Sequence, residues 1–405
     1  MSQLPTRYKF AEPYVNAGYK SPLLVVSTDL AKEKFVETRN AMPWASIYYA
    51  IKANPHHKII QCFQRLGSKF DCASFEEIAY LKNLGVHGSD ISFGNTIKKV
   101  SSIRRAYNEG VRMFATDCME DLQNIAANAP GSKVYIRVLV DGAATAQWPL
   151  NRKFGTSMQY ARQLVQAGSE LGLDMYGLSF HVGSQQLDTD AWLKPIDDAI
   201  QFMEEMNKSG LVSMRMINLG GGLPADYEDP LHQVQAMAAY SDALERALAK
   251  HKFSFDFEEI IIEPGRSLVG ECGVIISEVI SRCEKSEDSP PWLYTDVGVF
   301  GGLIETLGEA IHYPLVANVD RKDEATEDYI IAGPTCDSAD IMYKDNLKKL
   351  PAYLKGGDTL FWLCTGAYTY TYSSVNFNGF GPLSVIALDE TKRPELQYKD
   401  ALSEI

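Results

Sequence analysis

Eight short apolar runs, separated by amphipathic stretches, dominate residues 45–266. They are "ASIYYAIK" (45–52), "KFDCAS" (69–74), "DISFGN" (90–95), "RMFATD" (112–117), "VYIRVLV" (134–140), "YGLSFHVGS" (176–184), "RMINLGGG" (215–222) and "EIIIEPGR" (259–266). Between them, stretches such as "FEEIAYLKNLGV" (75–86) and "SSIRRAYNEGV" (101–111) repeat their apolar residues at three- and four-residue spacing, the period of a helix. Strands that alternate with helices define an α/β fold, and eight repeats predict a closed (β/α)8 TIM barrel. A doubly wound open sheet would alternate too, but without any need to stop at eight. The rhythm then changes. "GVIISEVISRCEK" (273–285), "PPWLYTDVGVF" (290–300), "EDYIIAGPTC" (327–336) and "GDTLFWLCTGAY" (357–368) are strand-like with few helices between them, which predicts a C-terminal mainly-β domain. The expected division is a barrel over 28–271, a β domain over 272–405, and an N-terminal segment, 1–27, whose "SPLLVVS" (21–27) could join the β domain.

Composition limits the partners. The 405 residues exceed one ordinary domain. With 45% hydrophobic and 22% charged residues the chain can bury a sizeable core. A net charge of −13 argues against nucleic acid or an anionic membrane as partner, because both attract basic surfaces. The start, "MSQLPTRYKF", lacks the apolar core of a signal peptide, and no run of about 18 apolar residues occurs. Seven cysteines without a CxxC pair suit reduced thiols in a cytoplasm better than a disulfide framework. The HExxH and CxxC spacings of metal sites are absent, so no metal is expected.

The ends of the barrel runs carry polar residues: Lys52, Asp71, Asn95, Asp117, Arg137, His181 with Ser184, Gly220 to Gly222, and Glu263 with Arg266. Barrel active sites form at that face. Lys52 is either a solvated strand end or an amine held in a desolvated place, where its pKa would fall and covalent chemistry with a carbonyl becomes accessible. "NLGGGLP" (218–224) is either a tight strand-to-helix turn or a phosphate cradle, since missing Cβ atoms let backbone N–H groups approach an anion. Arg266 could add charge to the same phosphate. His181 is either a core histidine or a ring that stacks on a flat cofactor. A carboxylate at Glu263 facing a pyridine-type nitrogen would keep that nitrogen protonated and the ring electron-withdrawing.

A lysine, a glycine-rich anion loop, an acid and a flat histidine together describe a site for pyridoxal 5′-phosphate. With "YYAIKAN", "FDCAS", "SFHVGSQ", "LGGGLP", "EPGR", "GPTCDSAD", "GAYT" and "FNGF" in this order, the chain resembles the barrel-type pyridoxal-phosphate decarboxylases of basic amino acids, in particular ornithine decarboxylase, over nearly its whole length. The resemblance implies that Lys52 carries the cofactor on its ε-amine and that His181 stacks on the ring. It implies a phosphate held by Gly220, Gly221, Gly222 and Arg266, with the Tyr368 hydroxyl added and Ser184 nearby, and it counts Gly265 among the residues that bind the cofactor. Glu263 would face the pyridine nitrogen, Asp71 and Glu77 would lie near Lys52, and Arg137 would contact the cofactor side. Cys336 and Asp337 would reach the active site of the partner in a homodimer with shared sites. There Cys336 would protonate Cα after carbon dioxide leaves, and Asp337 would bind the substrate's distal amine. Phe300 would be a partner-facing aromatic, and Lys153 with Asp340 an intersubunit salt bridge. The reference pKa of a thiol, about 8.5, makes Cys336 a sensible acid, although a cysteine by itself is more often a small buried hydrophobe.

One position departs from the family. In "ETLGEAIHYP" (305–314), Gly308 falls where an acidic residue commonly helps to bind the distal amine, and Glu309 comes next and could substitute if the segment is shifted by one residue. Losing a carboxylate should weaken ornithine or open room for a longer group, because an unpaired ammonium is costly to bury. The expected reaction is decarboxylation of L-ornithine to putrescine in polyamine biosynthesis. Lysine, arginine or a substituted diamino acid is the alternative. A racemase on the same architecture is disfavoured by Glu263, where that family has an arginine, and by "GPTCDSAD". A non-catalytic decoy relative should have lost residues such as Lys52, Glu263 and Cys336.

Overall fold

A computed structural model of the chain describes residues 4–140, 145–148, 153–230, 232–251, 256–319 and 325–388. Residues 1–3 of the expected N-terminal segment and 389–405 of the expected β domain lie outside the described residues, as does Arg152 beside Lys153. The chain forms two compact units. One comprises Lys34–Pro224 and Val234–Ser267; the other takes the residues up to Glu33, Ala225–Gln233, and those from Leu268 onward.

In chain order the strands are β1 (Leu23–Ser27), β2 (Ser46–Ala50), β3 (Lys69–Cys72), β4 (Ile91–Phe93), β5 (Met113–Thr116), β6 (Lys133–Arg137), β7 (Ala146–Trp148), β8 (Asp174–Ser179), β9 (Ser184–Gln186), β10 (Met216–Asn218), β11 (Glu259–Ile262), β12 (Gly273–Cys283), β13 (Trp292–Thr295), β14 (Leu315–Ala317), β15 (Thr326–Ala332), β16 (Ile341–Pro351), β17 (Thr359–Leu363) and β18 (Ser384–Leu388).

The first unit is a closed parallel barrel in the order β2, β3, β4, β5, β6, β8, β10, β11, and β11 pairs back on β2 with Ile262 opposite Ile47. Each of the eight runs legible in the sequence supplies one strand. Helices separate them, and their starts follow from local chemistry. Ser74 caps the helix Phe75–Asn83 by accepting the N–H of Glu77 at 3.2 Å, and the Glu77 carboxylate reaches back to accept the N–H of Ala73 at 2.5 Å. The barrel interior is packed rather than open: Tyr48, Met113, Ala115, Tyr135, Tyr176, Met216 and Ile261 form one buried cluster.

The strand starts are as ionic as the strand ends. Lys69 pairs with Glu259 at 2.5 Å, Arg215 with Asp174 at 2.7 Å and with Glu258 at 2.6 Å, and Lys133 with Glu258 at 2.9 Å. Ionisable residues at a strand terminus therefore do not by themselves mark the functional face. Ion pairs occur at the C-terminal face too, where Lys98 meets Asp121 at 2.7 Å.

The second unit is mainly β. Its sheet runs β14-β17-β12-β13-β15-β16, and β1 adds to it antiparallel to β12 and parallel to β18. Residues 225–233, inside the span expected for the barrel, belong to this unit. Arg7 pairs with Glu228 at 2.6 Å and Glu271 at 3.1 Å, Cys364 Sγ donates to the Asp226 carbonyl at 3.3 Å, and Asp229 meets Nδ1 of His232 at 2.8 Å and of His312 at 3.1 Å. No helix among the described residues is long and apolar enough to cross a membrane.

Candidate active site

Lys52 lies in a one-turn 3-10 helix, Ile51–Ala53, that directly follows β2. Its neighbours in the chain are buried but Lys52 is exposed in the isolated chain. Of the two readings of Lys52, the isolated chain shows the exposed one, on the turn that follows the strand. Acidic groups face it. Asp71, at the end of β3, is only 8% exposed, and its Oδ1 has no hydrogen-bond partner among the described residues. Burial first, then the nearby Glu263, push its carboxyl well above the ordinary range, and Lys52 opposes the shift. Gly94 makes this placement feasible, because a Cβ there would lie 1.9 Å from Asp71 Oδ1. Glu77, tied to the Ala73 N–H, is raised by burial and lowered in part by Lys52.

The glycine run after β10 is shaped by Asn218. Its Oδ1 accepts the Gly220 N–H at 2.9 Å, and its Nδ2 donates to Glu263 Oε1 at 2.5 Å. A backbone donor and a carboxylate acceptor can be served together in only one orientation of the amide. Gly220 sits at φ +71, and a Cβ there would lie 2.1 Å from the Phe180 carbonyl; one on Gly221 would lie 2.9 Å from the Glu263 carbonyl and 3.1 Å from His181 Nε2. Only glycine lets the chain pass here. His181 accepts the Gly183 N–H at Nδ1 at 2.9 Å. Burial, then Arg137 and Lys52, hold its pKa well below the usual value. Arg266, 3% exposed, donates from Nε to Ser184 Oγ at 3.1 Å, and Gly265 before it is buried. Arg137 and the exposed Lys153 each lie 5.0 Å from the ring centre of Phe154. A buried guanidinium, a hydroxyl and a side-chain-free backbone together can hold a compact anion. A flat neutral imidazole and two carboxylates beside an amine can position a heterocycle and an aldehyde.

Asn218, Gly94 and Phe154 went unnoticed in the sequence. The first left a signal: an asparagine two residues before a glycine is a common device for turning backbone.

The second unit carries the remaining candidates. Cys336 and Asp337 lie in an exposed loop after β15. Asp340, 2% exposed, organises that loop: it accepts the Val299 N–H at 2.8 Å, the Thr335 N–H at 3.0 Å and the Thr335 hydroxyl at 2.7 Å. An ion pair between Asp340 and Lys153 of another subunit would require these oxygens to be shared. Glu309 differs from the sequence reading more sharply. Its carboxylate accepts the N–H groups of Lys344, Asp345 and Asn346 at 2.7, 2.8 and 2.9 Å and the Asn346 side-chain N–H at 2.8 Å. A carboxylate has about four acceptor sites, so Glu309 pins β16 and has none left for a substrate amine. Burial raises its pKa, yet these donors hold it below the ordinary value. Gly308 is exposed at φ +62 with nothing within 4 Å of the position of a Cβ. Phe300 packs at 5.1 Å against Phe377, and Tyr368 is half-buried at φ +55.

Residues 29–270 match the model of the pyridoxal-dependent decarboxylase, pyridoxal binding domain. The chain therefore belongs to the pyridoxal-dependent decarboxylases, and its cofactor is pyridoxal 5′-phosphate. A lysine/ornithine decarboxylase of Selenomonas ruminantium is 31% identical over 89% of this chain and 88% of its own. The structure of SrLDC in complex with PLP and cadaverine superposes with a TM-score of 0.82 at 29% identity, covering 96% of each chain. The arginine decarboxylase of Paramecium bursaria Chlorella virus bound to agmatine gives 0.85 at 25% identity, covering 94% of this chain and 100% of its own. The branch is thus that of the basic amino acid decarboxylases.

Proposed function

We propose that the protein is a homodimeric decarboxylase that converts L-ornithine to putrescine and carbon dioxide. The observation that carries this reading is the barrel-end array, where Lys52 faces Asp71 and Glu77 while Glu263, His181, Ser184 and Arg266 surround a glycine run without room for side chains. The parts fit pyridoxal phosphate one by one. Lys52 is the amine for its aldehyde. Gly220 to Gly222, Gly265, Arg266 and Ser184 suit its phosphate, with Tyr368 adding a hydroxyl. Glu263, braced by Asn218, holds a proton on the ring nitrogen, and His181 covers the ring. Asp71 and Arg137 supply charge beside them. When bound, the cofactor supplies an electron sink for the pair that carbon dioxide leaves at Cα.

The other residues act on the substrate. Asp337 binds the distal ammonium, Phe300 packs against the chain that carries it, and Cys336 gives Cα its proton. Because Cys336 and Asp337 serve the partner's barrel, mixing inactive Lys52 and Cys336 variants should restore part of the activity. No recovery after demonstrated subunit exchange would refute the shared site.

Gly308 supports a second reading within the class, in which a longer basic amino acid such as L-lysine is preferred: no side chain fills that position, and Glu309 is fully engaged elsewhere. A decarboxylation screen over ornithine, lysine, arginine and diaminobutyrate decides between the two. Borohydride reduction followed by peptide mapping tests the foundation of both, and should find the cofactor fixed on Lys52; a label elsewhere refutes the site.

A further inference from the structure

We infer that Asn378 is a positioning residue for the Cys336 thiol, fixing the direction from which it delivers its proton. The inference rests on the proposed role of Cys336. Forty-two residues separate the two in sequence, yet the Asn378 amide grips Cys336 at two points: Oδ1 accepts the Cys336 N–H at 2.9 Å, and Nδ2 donates to Cys336 Sγ at 3.3 Å. Only the oxygen can accept from an N–H and only the nitrogen can donate to sulfur, so the orientation of the amide is settled. A cysteine has one side-chain torsion before its sulfur; holding both the backbone nitrogen and Sγ leaves little freedom.

The support on each side is rigid. Asp340 fixes the preceding residue, Thr335, through its N–H and hydroxyl. Asn378 itself is presented by a closed turn, in which the Asn376 N–H donates to the Phe380 carbonyl at 2.9 Å, the Gly379 N–H to Asn376 at 3.0 Å and the Phe380 N–H to Phe377 at 3.0 Å. Phe377 in this turn packs on Phe300. Asn376 and Asn378 both adopt the left-handed region, at φ +62 and φ +51. Few L side chains tolerate it, and asparagine is among them. The turn thus spends two unfavourable backbone conformations to aim one amide at one thiol.

Direction matters to the products. When the thiol S–H breaks and a C–H forms at Cα, the amino acid becomes amine plus carbon dioxide, and the thiolate regains its proton from water. Were the proton delivered to the cofactor's aldehyde carbon instead, the amino group would stay with the cofactor, and amino acid plus pyridoxal phosphate would give aldehyde, carbon dioxide and pyridoxamine phosphate. An N–H on the sulfur favours the first outcome twice, by aiming the S–H and by supporting the thiolate left behind.

The test uses the holoenzyme with L-ornithine and with L-lysine, and the variants Asn378→Gly, Asn378→Asp and Cys336→Ala. Glycine accepts the left-handed backbone and deletes the amide; aspartate retains the acceptor for the Cys336 N–H and removes the donor to sulfur. Both Asn378 variants should raise the share of turnovers ending in aldehyde and pyridoxamine phosphate by about fivefold, the ratio one ordinary hydrogen bond supports, with cofactor content unchanged. Iodoacetamide labelling of Cys336, read by peptide mass and independent of turnover, should slow about threefold in both. If Cys336→Ala keeps carbon dioxide and amine in equal amounts, the proton-donor reading fails. If Cys336→Ala disturbs that ratio while the Asn378 variants keep it, or keep parental labelling, only the present inference falls. A proportional loss of cofactor, carbon dioxide and amine in the Asn378 variants would make the residue merely structural and overturn it as well.

Discussion

The N–H of Gly183 donates to Nδ1 of His181 at 2.9 Å, so a backbone group two residues away decides which imidazole nitrogen is protonated. With Nδ1 accepting, Nε2 carries the hydrogen and points toward Gly221. Burial, then the cations Arg137 and Lys52, keep the ring neutral well into the acid range. His181 should therefore contribute no limb to the activity–pH profile between about pH 5 and 8. His181→Phe keeps a flat ring but leaves the Gly183 N–H unsatisfied, and should weaken cofactor binding about tenfold. The shape of the profile should not change; a limb that vanishes with the histidine would refute the neutral ring.

Glu263 depends on Asn218 for its direction, through the 2.5 Å bond from Nδ2. Glu263→Gln removes the charge that keeps a proton on the ring nitrogen while preserving size. Decarboxylation should fall about a hundredfold or more, the cost typical of removing a preorganised charge, with cofactor still bound. Equal turnover in the variant, measured as carbon dioxide released per bound cofactor, would remove Glu263 from that role.

How much of this was legible follows from which forces act locally. The barrel could be read because eight short, largely buried apolar runs alternate with helical stretches, and Lys52, Glu263 and the glycines follow from strand and turn chemistry. Glu309 could not be read: it ends a 3-10 segment, its partners, Lys344 to Asn346, lie 35 to 37 residues away on β16, and nothing near 309 announces them. The solvation of Lys52 stayed open in the sequence for a subtler reason. A strand followed by Lys-Ala-Asn-Pro looks buried to its end, but the 3-10 turn Ile51–Ala53 intervenes and releases the side chain. Asp340 was legible only as a salt-bridge partner for Lys153; its inward aim depends on Gly298 and Gly333, where a Cβ would lie 2.2 and 2.3 Å from its carboxylate.

His56 links stability to pH. It precedes the helix His57–Arg65, is 8% exposed, and accepts the Lys58 N–H at Nδ1 at 3.3 Å. Burial, then His57 and Lys58, lower its pKa to about 3. The unfolded chain takes up this proton near pH 6.5 and the folded chain does not, so stability is full above that value and falls as pH drops toward about 3. At pH 5 the loss is about 2 kcal/mol. His56→Asn keeps a capping acceptor without a titrating group. Urea midpoints for parent and variant should be similar at pH 7, and the variant should be the more stable at pH 5. Equal sensitivity to acid would show that His56 is not the group responsible.

Gly308 is the position where one side chain should decide the substrate. It stands at φ +62, exposed, with nothing within 4 Å of where a Cβ would be, so a new side chain meets no steric barrier. The left-handed backbone restricts which residue can enter, and aspartate tolerates it better than a branched residue does. Glu309 beside it is engaged with Lys344, Asp345 and Asn346, so Gly308→Asp would add a carboxylate at this exposed position. Against a shorter chain such as ornithine a new carboxylate gains a charge-assisted contact; against a longer chain it also takes up space. The ratio of kcat/KM for ornithine over lysine should rise about tenfold in Gly308→Asp. Gly308→Asn, which shares the backbone preference but not the charge, should leave the ratio near its parental value. If both variants keep that value, residue 308 does not face the distal amine, and the choice of substrate must be made elsewhere.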